Sequence, residues 1–365
     1  MPEPLVRNYR LTARVITPVH VGTGATWARD HEFRVEQGTV YVLDVDQAIE
    51  ALDDQGRSRL GQQGLARLLP LDKLRDSRIA PIQYRAPSGN PPQEIAPIIR
   101  TALGRAYLPG SSLKGALRTA LLWHLAAGRK LHTHDLNGKK EQAAGAWERT
   151  LLGGSVDHVH GQAPNFDVMR AVRPSDCTLA ANEAALIEVQ IFSTREGRLG
   201  PSARSRRAWT EALAPRSQLT GRLSLDLNLL GHEALGFGTQ RSAVENMAGI
   251  CNAHAADLLG REQAMYQEGG LEELADWLGA VRQAVSTAAP STFYLQVGWG
   301  GGWRSKTLGN RLEDQPNFRQ NIVDRYRLQR GGGGARFPSS RQLVVQGGLP
   351  HQPLGWLAIN LVEAQ

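Results

Sequence analysis

The stretch YLPGSSLKGALRTALL, residues 107–122, decides how the chain is read. A proline and a glycine lead into two serines. Leu113, Leu117, Ala120 and Leu121 then recur at helical spacing, which predicts an amphipathic helix from about Ser112 to Ala127 with its apolar stripe on a core. Lys114 and Arg118 lie one turn apart on a neighbouring face. A helix N-terminus exposes backbone N–H groups and the positive end of its dipole, and Ser111 and Ser112 supply hydroxyls to cap it or to bond a ligand oxygen. Gly115 costs roughly 1 kcal/mol of helix stability relative to alanine, which is tolerable where another backbone must come close. Together these residues make a phosphate-backbone site. A capped amphipathic helix with solvated cations fits them equally well, and this stretch alone does not separate the two.

Outward from the helix, alternating residues in YRLTARVITPVHVG (9–22) predict a strand that runs into a glycine turn. EFRVEQGTVYVLDV (32–45) predicts a hairpin turning at Gln37-Gly38, followed by a short helix, DQAIEALDD. Residues 57–75 suggest another helix, and the prolines of 80–106 suggest irregular chain. Beyond the helix, 128–166 is a polar insertion interrupted by a helix near 140–152. Strands are expected at 166–173, 184–193 and 218–230, helices at 240–267 and 271–286, and strands at STFYLQVGW and PLGWLAINLVEA. This order is α+β, an arrangement used twice and compatible with two ferredoxin-like β-α-β-β-α-β units carrying large insertions. The Gly/Ser/Arg loop at 194–207 divides the chain into residues 1–205 and 206–365.

The chain has 365 residues, enough for two domains, and its 41% hydrophobic content supports real cores. Its formal charge of +7 favours an anionic partner. Two distant cysteines give neither a disulfide framework nor a zinc spacing. No apolar run approaches a membrane span, and no signal-peptide core is present. The expectation is a cytoplasmic protein with no membrane contact, no metal and no cofactor.

The second constellation is GWGGGWRSKT, 298–307. It is not a P-loop, because Ser305 rather than glycine precedes Lys306. What remains is a flexible backbone, Gly300, Gly301 and Gly302, with Trp299 and Trp303 as stacking faces and Arg304 and Lys306 as phosphate contacts. A glycine-rich turn with its tryptophans in the core is the equal alternative. HVGTG (20–24), with Gly22 and Gly24, lacks the third glycine of a dinucleotide fingerprint. Two H-x-H pairs, His132/His134 and His158/His160, read as solvated histidines. Arginines cluster at 195–207 and at 325–341, as solvated loops usually do, though here they flank the two candidate sites.

The combination TPVHVGTG, YLPGSSLKGALRTAL, LLGG with DVMRAVRPSDC, and GWGGGWRSKT resembles the RAMP superfamily of CRISPR-associated proteins over most of the chain. Within it, the hairpin after the first glycine turn and the late glycine-rich loop look most like the fifth subunit of the type III-A (Csm) effector complex. The resemblance implies paired RRM-like, ferredoxin-like units with 128–166 as a thumb-like projection. It implies a non-catalytic crRNA-binding subunit that caps the filament of repeated backbone subunits at the 3′ end of the crRNA and supports crRNA maturation. Implied partners are crRNA, the backbone RAMP subunit, a small helical subunit, host nucleases and nearby target RNA. By the same resemblance Ser111, Ser112, Lys114 and Arg118 line the crRNA groove and Gly22 and Gly24 form its first glycine loop. Gly300, Gly301, Gly302, Trp303, Arg304 and Lys306 form the late loop, and Arg170, with Asp167 and Asp176, is structural or groove-lining. The alternative is a RAMP-family ribonuclease, cleaving crRNA precursor or target RNA with Asp30 or with one of His20, His31 and His124.

Overall fold

Leu11, Ala13 and Val15 are buried while Arg10 and Arg14 are exposed, so the first strand, β1 (Val6–Val15), lies with one face on a core. The computed structural model describes residues 5–86, 91–127, 129, 132–133, 136, 138–140, 142–154, 163–180, 184–195, 197–202, 207–329 and 337–364. After β1 come β2 (Trp27–Ala28) and the hairpin β3 (Phe33–Glu36)/β4 (Thr39–Val42). Gln37 and Gly38, at φ 48° and 77°, make its two-residue turn as expected.

Where one helix is expected over 57–75 there are several short ones. These are α2 (Asp54–Arg59), α3 (Leu65–Leu68) and α4 (Leu71–Leu74), preceded by α1 (Val45–Glu50). Gly61, at φ 94°, and Pro70 break the run. The proline-bearing stretch that follows holds β5 (Ile82–Arg85) and β6 (Glu94–Ala96), with Pro81 and Pro97 flanking the strands rather than interrupting them. β7 (Tyr107–Leu108) leads into α5 (Gly110–Leu125).

α6 (Gly145–Leu152) is the helix expected in the insertion. The strand expected at 166–173 is instead two 3₁₀ turns, Ala163–Phe166 and Val168–Ala171, and only then β8 (Val172–Pro174). The Asp167 carboxylate accepts the Met169 N–H and starts the second turn. β9 (Cys177–Leu179), β10 (Ala184–Arg195), β11 (Arg198–Pro201), β12 (Ala208–Leu213) and β13 (Gln218–Asp226) follow. Then come α7 (Leu227–Gly231), α8 (Gly238–Glu245), α9 (Met247–Glu268), α10 (Glu272–Ser286), β14 (Thr292–Gln296) and α11 (Gly302–Lys306). β15 (Ser340–Gln346), β16 (Leu349–Gln352) and β17 (Trp356–Glu363) end the run, and the first two of these have no counterpart in the sequence reading.

The first sheet has the order β14-β17-β1-β13-β9-β7, with β8 also on β13. Its centre, β17-β1-β13-β9, with α5 and α9 as the two helices, is a ferredoxin-like unit. Leu11, Leu113, Leu117, Leu223, Ile250 and Phe293 belong to its core. The second sheet, β16-β15-β10-β12-β6-β2 with β11 on β10, contributes Leu343 and Phe192 to a core shared with Leu258, Leu259, Leu278 and Trp356. β3-β4-β5 form a small third sheet. Strands from both sides of residue 205 stand side by side in the first two sheets.

Two buried ionic networks join these layers. Glu211 on β12 is wholly buried. Its Oε1 accepts from the Tyr84 hydroxyl at 2.5 Å and from Arg100 Nη2 at 2.8 Å, and its Oε2 accepts the Ile98 N–H at 3.0 Å. The second network lies beneath the late glycine loop. Arg304 donates to Glu313 at 2.8 and 2.9 Å, and Glu262 is gripped by Arg341 with Arg304 at 3.5 Å. Burial alone would push the Glu262 carboxyl up, but the two guanidinium groups outweigh it and hold the carboxyl below the usual range. Removing one partner of such a pair strands a buried charge. Glu211→Ala is expected to cost about 3–5 kcal/mol in denaturant unfolding, and Tyr84→Phe only about 1 kcal/mol.

Candidate nucleic-acid interface

Three separated stretches meet around one open cleft of about 440 Å³. The loop after β1 brings His20, Val21 and Gly22; α5 brings Ser112, Gly115, Ala116 and Thr119; the segment from β14 into α11 brings Gln296 to Trp299, Ser305 and Lys306. The junction is fixed by backbone. Trp299 N–H donates to the His20 carbonyl at 2.8 Å. Gly298 sits at φ 79°, and a Cβ there would stand 2.4 Å from that same carbonyl, so only glycine fits. Ile99 N–H donates to the Val21 carbonyl at 2.8 Å, tying the first loop to the second sheet's side of the cleft. Lys306 is exposed and is the one charged lysine or arginine among the described lining residues, which include no carboxylate.

The helix end itself is largely occupied by acceptors of the protein's own. α5 begins at Gly110, two residues earlier than expected, behind Pro109. The Gly110 N–H donates to Asp176 Oδ1 at 2.8 Å, and the Ser112 and Leu113 N–H groups donate to the Pro109 carbonyl. Neither serine caps the helix. What α5 offers the cleft is its flank, residues 112, 115, 116 and 119, a spacing that keeps one face. Gly115 is exposed there, and a Cβ would meet nothing within 4 Å, so no neighbour in the protein demands a glycine.

Lys114 and Arg118 point the other way. Arg118 pairs with Glu148 at 3.1 Å and Asp167 at 3.5 Å, fastening α5 to the insertion. Lys114 is half-buried, and burial pushes its amine below the usual range despite Asp167 nearby. Arg170, on the same side, is exposed and donates to the Asn165 carbonyl. Ser111 is exposed outside the cleft. Gly24 is an exposed turn residue at φ 84°.

The late loop divides between cleft and interior. Trp303 packs on Phe337 and Phe318, with ring centroids 5.0 and 5.7 Å away, and is not a free stacking face. Arg304 is buried in its ion pairs and offers nothing to a ligand. Gly300 and Gly302 line a second cleft on the Trp303 side, while Gly301 backs onto Ser305. Gly298, Trp299, Ser305 and Lys306 are the members that reach the main cleft. Thr119, Gln296 and Ser305 were not singled out by sequence reading. Thr119 was within reach of it, since it stands seven residues from Ser112 on one helical face.

His20 is the chemically distinctive wall. It is buried, its Nδ1 lies 2.6 Å from the Glu211 carbonyl and 2.9 Å from Thr210 Oγ1, and its ring meets Trp299 edge-on at 5.8 Å. Burial pushes the imidazole below its ordinary value, so it is neutral at physiological pH. Asp30 is at φ 67° in a tight turn, its carbonyl accepting the Arg67 N–H, and it is absent from the cleft lining, as is His31. His124 is in the last turn of α5, about 18 Å along the helix from Ser112. Among the described residues no group of three His, Cys, Asp or Glu is placed to hold a metal ion, and no helix is long and apolar enough to cross a membrane. His134, His158 and His160 lie outside the described residues, as does much of the insertion and of both arginine-rich loops.

Comparison with known proteins follows the same outline. The CRISPR system Cms protein Csm5 of Streptococcus thermophilus is 28% identical over 137 residues, a match covering 32% of this chain and 38% of that protein. The aligned region therefore spans well under half of that relative's length. A chain in a cryo-EM structure of a Csm-crRNA-target RNA ternary complex of a type III-A CRISPR-Cas system superposes with a TM-score of 0.72 at 19% identity, covering 97% of this chain and 100% of that one. The crystal structure of T. onnurineus Csm5 gives a TM-score of 0.67 at 18% identity, covering 95% and 99%. At these identities the two structures speak to the α+β fold. The family model for the RAMP superfamily matches residues 12–206, which include the first glycine loop, the whole of α5 and the segment 167–176. This chain belongs to the RAMP superfamily.

Proposed function

We propose that this chain is a crRNA-binding subunit of a type III-A CRISPR (Csm) effector complex, holding the guide along the cleft between α5 and the late glycine loop. In this reading it caps the filament of repeated backbone RAMP subunits at the 3′ end of the crRNA and supports maturation without cutting RNA. The small helical subunit and host nucleases join it there, in the cytoplasm, with target RNA close by. The observation that carries the reading is the convergence of three separated motif stretches on one open, carboxylate-free cleft. The likeness to Csm5 proteins and to a chain of a Csm-crRNA-target RNA complex supports the assignment to the complex.

Gripping is backbone-directed. Lys306 meets phosphate, the Ser112 hydroxyl stands ready as a hydrogen-bond partner, the Thr119 hydroxyl, which donates to the Gly115 carbonyl at 3.1 Å, keeps its lone pairs as acceptors, and the open space over Gly115 lets the sugar–phosphate chain lie against the helix. Trp299 offers the one indole in the cleft. Arg118 acts at one remove, clamping α5 to Glu148 and Asp167, and Lys114 lies half-buried on the same side, near Asp167. A second reading, a ribonuclease, is favoured by one observation, the neutral His20 in the cleft wall.

The test is to express the chain with its complex partners and a CRISPR array, recover the complex and sequence the 3′ ends of the bound RNA. Gly115→Leu should fold at least as stably as the parent, since leucine is the better helix former, yet lose crRNA or shift its ends. Unchanged ends and occupancy in that variant would sink the cleft reading. Lys306→Ala should weaken RNA binding alike for all sequences and lower the slope of log K against log salt by about 0.7. The double variant Lys114→Ala, Arg118→Ala should leave the RNA ends in place. Cutting of bound RNA by the purified chain, lost in His20→Phe, would make the ribonuclease reading the correct one.

A further inference from the structure

We infer that His20 reads the ribose 2′-hydroxyl, so that the cleft distinguishes RNA from DNA. The inference rests on the proposal that a nucleic-acid backbone lies in this cleft, and adds which atom tells one nucleic acid from the other. It begins with the tautomer. A carbonyl oxygen only accepts hydrogen bonds, so His20 Nδ1, 2.6 Å from the Glu211 carbonyl, carries the ring proton. Nε2 then bears the lone pair and is an acceptor. Thr210 holds the arrangement, lying 2.9 Å from Nδ1 while donating to the Ala96 carbonyl at 3.1 Å.

Nε2 has no hydrogen-bond partner among the described residues, yet it is not among the buried polar atoms left unpaired, so it opens toward the cleft. Gly22 keeps it open. A Cβ at position 22 would stand 2.5 Å from Nε2 and lie over it, whereas φ at this residue does not by itself call for glycine. The chain thus leaves a side chain out where one would cover an acceptor. Neutrality is secured by burial, which holds the imidazole below its ordinary value.

An acceptor in a groove that tracks a sugar–phosphate backbone has a narrow choice of partner. Phosphate oxygens, ester oxygens and the ring oxygen all accept. The only donor along an internal stretch of that backbone is the 2′-hydroxyl, which DNA lacks. Base amines and imides also donate, but a contact through them would vary with sequence.

The experiment measures binding of the full-length chain to oligo(U), oligo(dU), oligo(A) and oligo(dA) of one length at one salt concentration. The parent is expected to prefer each RNA over its DNA counterpart roughly fivefold, the worth of one neutral hydrogen bond. His20→Phe keeps a ring against Trp299 but has no acceptor, and Gly22→Ala keeps the imidazole but sets a methyl so close to Nε2 that the acceptor is covered or displaced from the cleft. Each should abolish the preference, bringing the ratio of RNA to DNA affinity to about one for both base sequences. If His20→Phe does not fold, Gly22→Ala decides. Equal affinity of the parent for RNA and DNA, or a preference surviving in both variants, overturns the inference. So does a preference that follows the base rather than the sugar. Failure of the cleft itself has a different signature: Gly115→Leu would then leave affinity for both nucleic acids untouched.

Discussion

The buried carboxylate of Glu211 is the point through which most of the molecule is connected. Its side chain gathers a phenol from the third sheet, a guanidinium from the turn before α5 and a backbone N–H from the edge of the cleft. Its own carbonyl, on the opposite side of the residue, orients His20. A carboxylate with no solvent contact survives only if its lone pairs are met, and here Tyr84, Arg100 and Ile98 meet them. The small sheet, the hairpin of residues 98–106 and the cleft wall are therefore positioned by one ion that tolerates little displacement of any of them.

Much of this was legible in the chain. The β1 alternation, the Gln37-Gly38 turn, the helix expected from Ser112 and the helix at 271–286 follow from period and turn chemistry and lie within a few residues of expectation, while the one helix expected over 240–267 is broken at Asn246 into α8 and α9. The failures have local causes. The run at 57–75 has helical composition but is cut by Gly61 and Pro70, and 166–173 has strand composition but is turned by a side-chain cap from Asp167. Gly22, Ser112 and Lys306 were named from motifs and lie together in the cleft. Which face of α5 looks into that cleft was not legible, because a cation reads the same whether it meets solvent, a phosphate or a carboxylate thirty residues away. Arg118 meets such a carboxylate, and Arg304 meets two.

That distinction changes what the formal charge of +7 means. A basic balance rich in arginine suggests a surface for a polyanion. Here Arg100, Arg261, Arg304 and Arg341 serve as internal fasteners, their forked donors satisfying carboxylates that a lysine would meet less well. The cleft itself carries a single lysine. A polyanion held there is oriented by shape, hydroxyls and backbone more than by a field of charge, which suits a subunit that must keep one end of a strand in register.

The place of β1 in the first sheet has a consequence for how the chain is made. β1 pairs with β13 on one edge and β17 on the other. Its neighbours are separated from it by some two hundred and some three hundred and fifty residues of chain. Until the last of them has been synthesised, one edge of β1 is bare, and a bare strand edge invites pairing with other chains. Pairings this distant in sequence are also slow to close. From the synthesis of β1 to that of β17 the strand thus stays incomplete, a state in which a chaperone or an assembly partner would find it still open to capture.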